Sequence, residues 1–287
     1  MATDIPNLPT PGTSITSTVT LNTYEMGERI GEGAFGVVFE CTDVWKNSLV
    51  AKVLKPHEAL TDSLEKNAVD EINKLVHVRH PNITHIFDAF VFNGAYYIIS
   101  ERCDFTLAEM IKEENFDGRF WIIPIARCLL QAVHFTHVQH LVHCDIHPGN
   151  VFIRLIPDEM VPDQSTATTF KLGDFGIARQ TSSLDPHGTF MNSIRPPEAI
   201  KPDEFGPLDH RLDLYQTGLL LLQLLVGRRN FSRDEILAGV PRELALALDA
   251  PYSFALEKAL RRRVPYRTSS ALELWRDLNS QASSDLD

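Results

Sequence analysis

The pattern of apolar residues changes once along the chain, near residue 105, and this change limits what the sequence can fold into. Before that point, short segments rich in β-branched and aromatic residues, such as "SLVAKVLK" and "ITHIFDAFVFNGAYYIIS", predict strands. After it, "WIIPIARCLLQAVHFTHVQH" and "DLYQTGLLLLQLLVG" carry the longer periodicity of helices. A strand-rich first third before a helix-rich remainder predicts an α+β architecture of two lobes, joined near residues 101–104.

One helical pattern interrupts the strand-rich part. The segment Thr61–Val78 is interpreted as a helix because its apolar residues recur at helical spacing. Glu71 lies in this apolar stripe rather than on the wet face, so its carboxylate needs a partner. Lys52, which apolar residues flank in the predicted strand "VAKVL", is the natural candidate.

Composition and charge narrow the class of protein. A formal net charge of −11 over 287 residues argues against nonspecific nucleic-acid binding, which needs a basic surface. The four cysteines form no Cys-x-x-Cys pair, and we expect neither a zinc site nor a disulfide framework. The longest apolar run, Gly218–Gly227, is too short to span a bilayer and predicts a buried core helix. Residues 1–23, rich in Thr, Ser and Pro, predict a flexible tail.

The glycine-rich segment "GEGAFGVV" lies between two predicted strands. Gly31, Gly33 and Gly36 would let the hairpin bend tightly and let backbone N–H groups approach a phosphate. A strand follows this segment where a dinucleotide-binding fingerprint would have a helix. Taken alone, the segment is equally compatible with a structural hairpin.

The segment "HCDIHPGN" places Asp145 and Asn150 five residues apart, and "GDFG" later adds Asp174. Asn and Asp side chains form a hard oxygen set, suited to Mg²⁺ that carries a nucleotide. The remaining aspartate can orient a hydroxyl group for attack on a γ-phosphate. Capping roles in a polar loop are the alternative for this segment.

In order and spacing, these segments resemble the eukaryotic-type protein kinase family over residues 24–278. The resemblance implies a bilobal fold with a strand-rich N-lobe at 24–100, a hinge at 101–104 and a helical C-lobe at 105–278, followed by a short tail at 279–287. "PPE" (Pro196–Glu198) stands where the family has Ala-Pro-Glu. The resemblance pairs Glu198 with Arg267 and identifies Asp213 as the family's aspartate in the central C-lobe helix.

The same resemblance implies ATP and Mg²⁺ as cofactors and assigns the site. Asp145 would be the catalytic base, Lys52 would hold the α- and β-phosphates with Glu71 as its partner, and Asn150 and Asp174 would hold the metal. The nucleotide would contact the glycine-rich loop, Lys52 and the hinge, through Ile30, Gly31, Glu32, Gly33, Ala34, Phe35, Gly36, Val38, Glu101 and Cys103.

Three features depart from the family pattern. Cys144 replaces the arginine that docks an activation-segment phosphate, so we expect activity without that phosphate. His147 replaces the loop lysine near the γ-phosphate, and "HPGN" resembles aminoglycoside and choline kinases. We count His147 as a catalytic candidate because an imidazole can donate to phosphate. The polar segment Pro157–Thr169 predicts an enlarged hairpin between two strands.

We therefore predict a cytoplasmic protein kinase that phosphorylates Ser or Thr of a protein, with the chain itself as one candidate substrate and neither nucleic acid nor membrane as partner. The first alternative is a small-molecule phosphotransferase. The second is a pseudokinase that only binds nucleotide, which the presence of Lys52, Glu71, Asp145, Asn150 and Asp174 disfavours.

Overall fold

The computed structural model describes residues 8–33, 36–54, 76, 78–157, 166–175, 178–185, 195–228 and 230–280. Contacts divide the chain into two units, Met1–Arg102 and Cys103–Asp287. The division falls inside the segment 101–104, where the apolar patterning changes.

Six antiparallel strands form the sheet of the first unit, in the order β1-β2-β3-β4-β6-β5. They are β1 Ser14–Thr16, β2 Thr23–Glu32, β3 Gly36–Thr42, β4 Ser48–Leu54, β5 Ile86–Phe92 and β6 Ala95–Glu101. Alternate residues of β3 and β4 are buried in the core, which is the period-2 pattern of the sequence. The predicted hairpin turn at Asn93–Gly94 is confirmed, because both residues have positive φ, 49° and 79°. The predicted helix Thr61–Val78 and its Glu71 lie outside the described residues, except Val76 and Val78, which are not helical.

The expected flexible tail requires a correction for residues 8–23. Ser14–Thr16 pair with β2, and Ile15 and Ser17 are each 1% exposed. The hydroxyl groups of Thr20 and Tyr24 both donate to the carboxylate of Asp88 in β5, which is itself buried. The segment is polar because its threonines and serines form strand and side-chain hydrogen bonds, and threonine also favours strands.

The second unit is mainly helical. Its helices are α1 Leu107–Met110, α2 Gly118–Val138, α3 Pro197–Ile200, α4 Pro202–Phe205, α5 Arg211–Val226, α6 Arg233–Ala238, α7 Val240–Leu246, α8 Tyr252–Ala259 and α9 Ala271–Leu278. Short 3₁₀ turns cover Pro148–Asn150, Thr181–Ser183 and Val264–Tyr266. Two small sheets complete the unit, from β7 Phe105–Thr106, β8 Leu141–Val142, β9 Val151–Pro157, β10 Thr166–Leu172 and β11 Arg179–Gln180.

The predicted core helix is α5. Leu219, Leu220, Leu221 and Leu222 are all at most 2% exposed, so the apolar run is buried inside the protein. No helix within the described ranges is both long enough and apolar enough to cross a membrane.

Candidate active site

In the first unit, two of the predicted nucleotide-binding residues, Lys52 and Val38, lie on the face of the sheet opposite the core residues Val37 and Val53. Lys52 in β4 is directly opposite Val38 of β3 and Ile98 of β6. Lys52 and Val38 are half-buried, whereas their neighbours Val37 and Val53 are at most 2% exposed. Strand alternation therefore keeps Lys52 out of the hydrophobic core.

The glycines of the loop have different structural requirements. A Cβ on Gly36 would lie 2.4 Å from the carbonyl oxygen of Val53, so the close approach of β3 and β4 requires glycine there. A Cβ on Gly33 would meet no described atom within 4 Å. Packing against the described atoms therefore does not require glycine at position 33. Ala34 and Phe35 lie outside the described residues.

At the predicted hinge, Glu101 is the last residue of β6. Its backbone N–H donates to the His85 oxygen at 2.9 Å, and its carboxylate accepts from the His85 N–H at 2.7 Å. This reciprocal pair fixes the end of the strand. Cys103 is half-buried and begins the second unit.

In the second unit, one buried carboxylate fixes the start of "HCDIHPGN". Asp213, in the first turn of α5, accepts the backbone N–H groups of His143 and Cys144, each at 2.9 Å. It also accepts from Nε2 of His137 at 2.8 Å. A carboxylate at a helix N-terminus is stabilised by the helix dipole, and here its bonds hold the loop backbone on the helix. Cys144 is held with φ at 69°.

His143 joins this loop to the later aspartate segment. The Asp145 backbone N–H can only donate, so the His143 Nδ1, at 3.2 Å, accepts. The proton is therefore on Nε2, which donates to the Gly173 carbonyl oxygen at 3.0 Å. The ring also contacts Phe175 edge-on, with 4.6 Å between centroids. The imidazole is fully buried, and its two hydrogen bonds connect the backbone of Asp145 to that of Gly173.

Asp145, Asn150 and His147 form one cluster. The Asn150 amide nitrogen donates to the Asp145 carbonyl oxygen at 2.9 Å and to its carboxylate Oδ2 at 3.1 Å. Nε2 of His147 lies 3.6 Å from the same Oδ2. The Asp145 side chain is 11% exposed and that of His147 is 34% exposed. The cluster orients a mostly buried carboxylate next to an accessible imidazole.

Gly149 makes room for the His147 ring. The Gly149 N–H donates to Nδ1 of His147 at 3.1 Å, which places the proton of a neutral ring on Nε2, the nitrogen nearer Asp145. A Cβ on Gly149 would lie 2.9 Å from Cε1 of His147. The "HPGN" spacing therefore sets the orientation of this histidine.

The two predicted metal ligands come together at the open end of a hairpin. Strands β9 and β10 pair from Pro157–Thr166 to Val151–Leu172, so the enlarged hairpin is confirmed, although its turn, 158–165, lies outside the described residues. At the next position, the Gly173 N–H donates to the Asn150 oxygen at 2.9 Å. Asp174 follows with φ at 56°, a conformation that aspartate tolerates better than most residues.

This arrangement fits magnesium. Both N–H bonds of the Asn150 amide are directed to Asp145, and the amide oxygen is the atom of this side chain with the chemistry to bind a hard cation. The half-buried Asp174 carboxylate is the second hard oxygen donor at the same end of the hairpin.

Cys144 is unsuited to binding an anion. Its side chain is fully buried, and its Sγ lies 3.5 Å from the Val142 carbonyl oxygen. Burial, together with the nearby Asp213 carboxylate, raises the pKa of the Cys144 thiol well above its usual value. The thiol is therefore neutral at pH 7, and this position cannot dock a phosphate.

The predicted pair of Glu198 and Arg267 is confirmed. The two planar groups form a bidentate ion pair, with Nη1–Oε1 at 2.6 Å and Nη2–Oε2 at 2.7 Å, and both side chains are 0% exposed. The guanidinium lies 4.8 Å from the Tyr215 ring centroid. This pair fixes the start of α3 to the C-terminal part of the unit.

Three supporting residues were missed by the sequence reasoning: His137, Gln216 and Gly149. Gln216 accepts the Ile146 N–H and donates to the Cys144 oxygen, both at 3.0 Å. Asp213 and Gln216 are three residues apart on α5 and so lie on one helix face. This spacing is the only feature of the sequence that would have indicated a role for Gln216 beside Asp213.

The fold is that of a protein kinase domain, and comparison with known proteins agrees. The sequence profile of the protein kinase domain matches residues 24–280. The chain belongs to the protein kinase domain family. The predicted α+β kinase fold is confirmed as well: the PknI kinase domain of Mycobacterium tuberculosis, in crystal structures of mutants, superposes with TM-scores of 0.70 and 0.69 at 22% and 21% identity. In both cases 96% of this chain and all of the other are covered.

The curated relatives bear the names of kinases. The chain is 31% identical over 208 residues to a probable serine/threonine-protein kinase zyg-1 of Caenorhabditis briggsae, covering 71% of this chain and 27% of that protein. It is 29% identical to cyclin-dependent kinase-like 1 of Caenorhabditis elegans, covering 72% of this chain and 56% of the relative. It is 28% identical to an Aurora kinase of Dictyostelium discoideum, covering 75% and 53%. The chain thus spans between a quarter and somewhat over half of these relatives.

Proposed function

We propose that this protein transfers the γ-phosphoryl group of ATP to Ser or Thr hydroxyls of a protein substrate. The observation that carries the proposal is the Asp145–Asn150 pair, held at 3.1 Å and joined by the Asn150–Gly173 hydrogen bond to the segment of Asp174. A base and two hard oxygen ligands at the end of one hairpin are what phosphoryl transfer from a magnesium nucleotide needs.

Each residue of the chain then has a positional role. Bound magnesium ATP would supply the transferable phosphoryl group and the charge that polarises it. Asn150 and Asp174 would hold the metal, and Lys52 would contact the α- and β-phosphates. Asp145 would accept a hydrogen bond from the acceptor hydroxyl and take its proton, while Nε2–H of His147 would donate to phosphate oxygens. Catalysis in this arrangement is mostly positioning and charge stabilisation.

Labelled ATP and Mg²⁺ test the proposal, with generic protein acceptors and the chain itself as substrates. Asp145→Asn keeps the shape of the side chain, so it should reduce transfer by at least about a thousandfold, as expected for loss of a catalytic base. Nucleotide affinity, measured by titration, should change by less than about threefold, because this carboxylate contacts the acceptor. Equal loss of transfer and nucleotide binding would contradict the assigned role.

The second candidate is transfer to a small molecule, which the His147–Gly149 geometry favours. A panel of aminoglycosides and choline in the same assay separates the two functions. Label on protein and none on the panel supports the kinase proposal, and the reverse result supports the alternative. The buried pair of Glu198 and Arg267 favours a protein substrate, since it anchors the segment that protein kinases use on the substrate side.

We also propose that activity needs no phosphate on the segment between Asp174 and Glu198. The neutral, buried Cys144 stands where a docking cation would be needed. Enzyme treated with a phosphatase, and confirmed by mass spectrometry to carry no phosphate, should keep the rate of untreated enzyme within about twofold. Loss of activity that returns on phosphorylation of this segment would refute the idea.

A further inference from the structure

A cavity of about 360 Å³ in the second unit lies among α4, α7 and the chain after α8. Four of its lining side chains are arginines: Arg242, Arg261, Arg262 and Arg263. Three of them are consecutive in the sequence "RRRVPYR", in a chain whose formal net charge is −11. None of the four belongs to the site described above.

The charges in this cavity do not balance. Glu257, with a side chain 7% exposed, accepts from Nε of Arg242 at 2.6 Å and from Arg261 at 2.9–3.2 Å. Glu204 also lines the cavity, and it forms an ion pair with Lys201 at 3.2 Å. The four guanidinium groups and these two carboxylates together carry a formal charge of +2, and Lys201, the partner of Glu204, raises it to +3.

Most guanidinium N–H groups are also uncommitted. Within the described part of the chain, Arg242 gives one N–H to Glu257 and Arg262 gives one to the Leu237 carbonyl oxygen at 2.6 Å. Arg261 donates from all three nitrogens, to Glu257 and to the Tyr266 oxygen, whereas the Arg263 guanidinium has no hydrogen-bond or ion-pair partner among the described residues. Each guanidinium has five N–H donors in a planar fork. The cavity therefore presents more guanidinium donors than its two carboxylates, Glu204 and Glu257, accept.

The backbone that carries these arginines is fixed. The carbonyl oxygens of Arg261 and Arg262 accept from Nε and Nη2 of the buried Arg267 at 3.0 and 3.2 Å. The Arg262 guanidinium lies 5.6 Å from the ring centroid of Phe205. A ligand would therefore meet donors that are partly organised in advance, which lowers the entropic cost of binding.

We propose that this cavity binds a phosphoserine or phosphothreonine side chain of a protein, and so docks substrates that already carry a phosphate. Guanidinium forks match phosphate oxygens, and a phosphomonoester carries a charge of roughly −1.5 to −2 at pH 7, which is opposite in sign to the net formal charge of the cavity. The volume is at the lower end of ligand pockets, which suits one modified side chain. The proposal rests on the proposed function, because a Ser/Thr kinase makes such groups.

The test is a binding titration of the full chain without nucleotide. The probes are three fluorescent peptides, identical except for a central phosphoserine, serine or glutamate. The phosphoserine peptide should bind at least about tenfold more tightly than the other two, a difference of about 1.4 kcal/mol. Arg263→Ala should weaken its binding about tenfold and Arg263→Lys less, because lysine keeps the charge without the fork.

Arg276→Ala is the matched control, since Arg276 is exposed on α9 and does not line the cavity. It should leave binding unchanged, and circular dichroism should show all three variants folded. Equal affinity for phosphoserine and serine peptides would overturn the proposal. The proposal would also be overturned if Arg263→Ala and Arg276→Ala lost affinity for the phosphoserine peptide equally. The same holds if inorganic phosphate bound as tightly as the phosphopeptide.

The two proposals can fail separately. Binding of the phosphopeptide without any transfer activity would retain the cavity and refute the kinase function. Transfer activity with no preference for phosphopeptide would retain the kinase function and refute the cavity. In an active enzyme, Arg263→Ala should leave the rate on unphosphorylated substrate unchanged.

Discussion

Glu198→Gln is the perturbation that most directly measures the buried anchor. Every N–H of the Arg267 guanidinium has an acceptor: the two Glu198 oxygens and the carbonyl oxygens of Arg211, Arg261 and Arg262. Gln keeps the size of the side chain, so no cavity forms. It removes the negative charge and turns one acceptor into a donor that faces a guanidinium N–H. A buried cation without its partner destabilises a protein by about 3–5 kcal/mol.

Urea unfolding gives this free energy, provided that the signal comes from the second unit. The chain has three tryptophans. Trp45→Phe removes the one in the first unit, and the fluorescence of Trp121 and Trp275 then reports on the second. We expect Glu198→Gln to lower the free energy of unfolding by about 3–5 kcal/mol, a large part of the usual 5–15 kcal/mol.

The matched control is Asp249→Asn, the same change of carboxylate to amide in an exposed ion pair. Asp249 and Arg119 are 3.4 Å apart, with side chains 81% and 59% exposed. Asp249→Asn should lower the free energy of unfolding by at most about 1 kcal/mol. If Glu198→Gln cost no more than this control, the reasoning about an uncompensated buried cation would be refuted.

Two further predictions concern the loop and the effect of pH. Gly149→Ala should lower kcat about tenfold, roughly 1.4 kcal/mol, since its Cβ displaces the His147 ring; in a His147→Ala background it should cost nothing more, and an equal loss there would exclude this cause. Hydrogen bonds from Lys258 and then Ser269 lower the pKa of Glu273 from 4.5 to about 2. A depressed pKa stabilises the folded state above the unfolded pKa, so Glu273→Gln should cost about 1 kcal/mol at pH 7, with the difference vanishing as pH falls from about 4.5 to about 2 in urea titrations. A difference that is constant over this range would argue against the assigned hydrogen bonds.

Local patterns in the sequence carried much of the fold. Period-2 burial in β3 and β4 and the turn Asn93–Gly94 follow from neighbouring residues, and the structure reproduces both. The apolar run of α5 is equally local. The sequence also placed Asp145 and Asn150 in one predicted site, but not their contact, because five extended residues can span roughly 17 Å.

Contacts between segments that are distant in the sequence could not be predicted from local patterns. The bonds from Asp213 to His143 and Cys144 span 70 and 69 residues, and no local signal selects the partners of a buried carboxylate. The same limit explains the error at the N-terminus. Thr20 was predicted to lie in a flexible polar tail. Its hydrogen-bond acceptor, Asp88, is 68 residues away, so the neighbouring sequence gives no sign that this hydroxyl group has a partner.

The N-terminal strand also affects how the protein can be handled. A shortened chain beginning at Tyr24, where the family match begins, would lack β1 and the Thr20 hydroxyl. Strand β2 would then be an edge with unpaired backbone groups, which is a site for pairing between molecules. Asp88 would keep Tyr24 as its only side-chain hydroxyl donor among the described residues. A preparation trimmed to the family boundary is therefore expected to self-associate in light scattering, where the chain with residues 8–23 stays monodisperse.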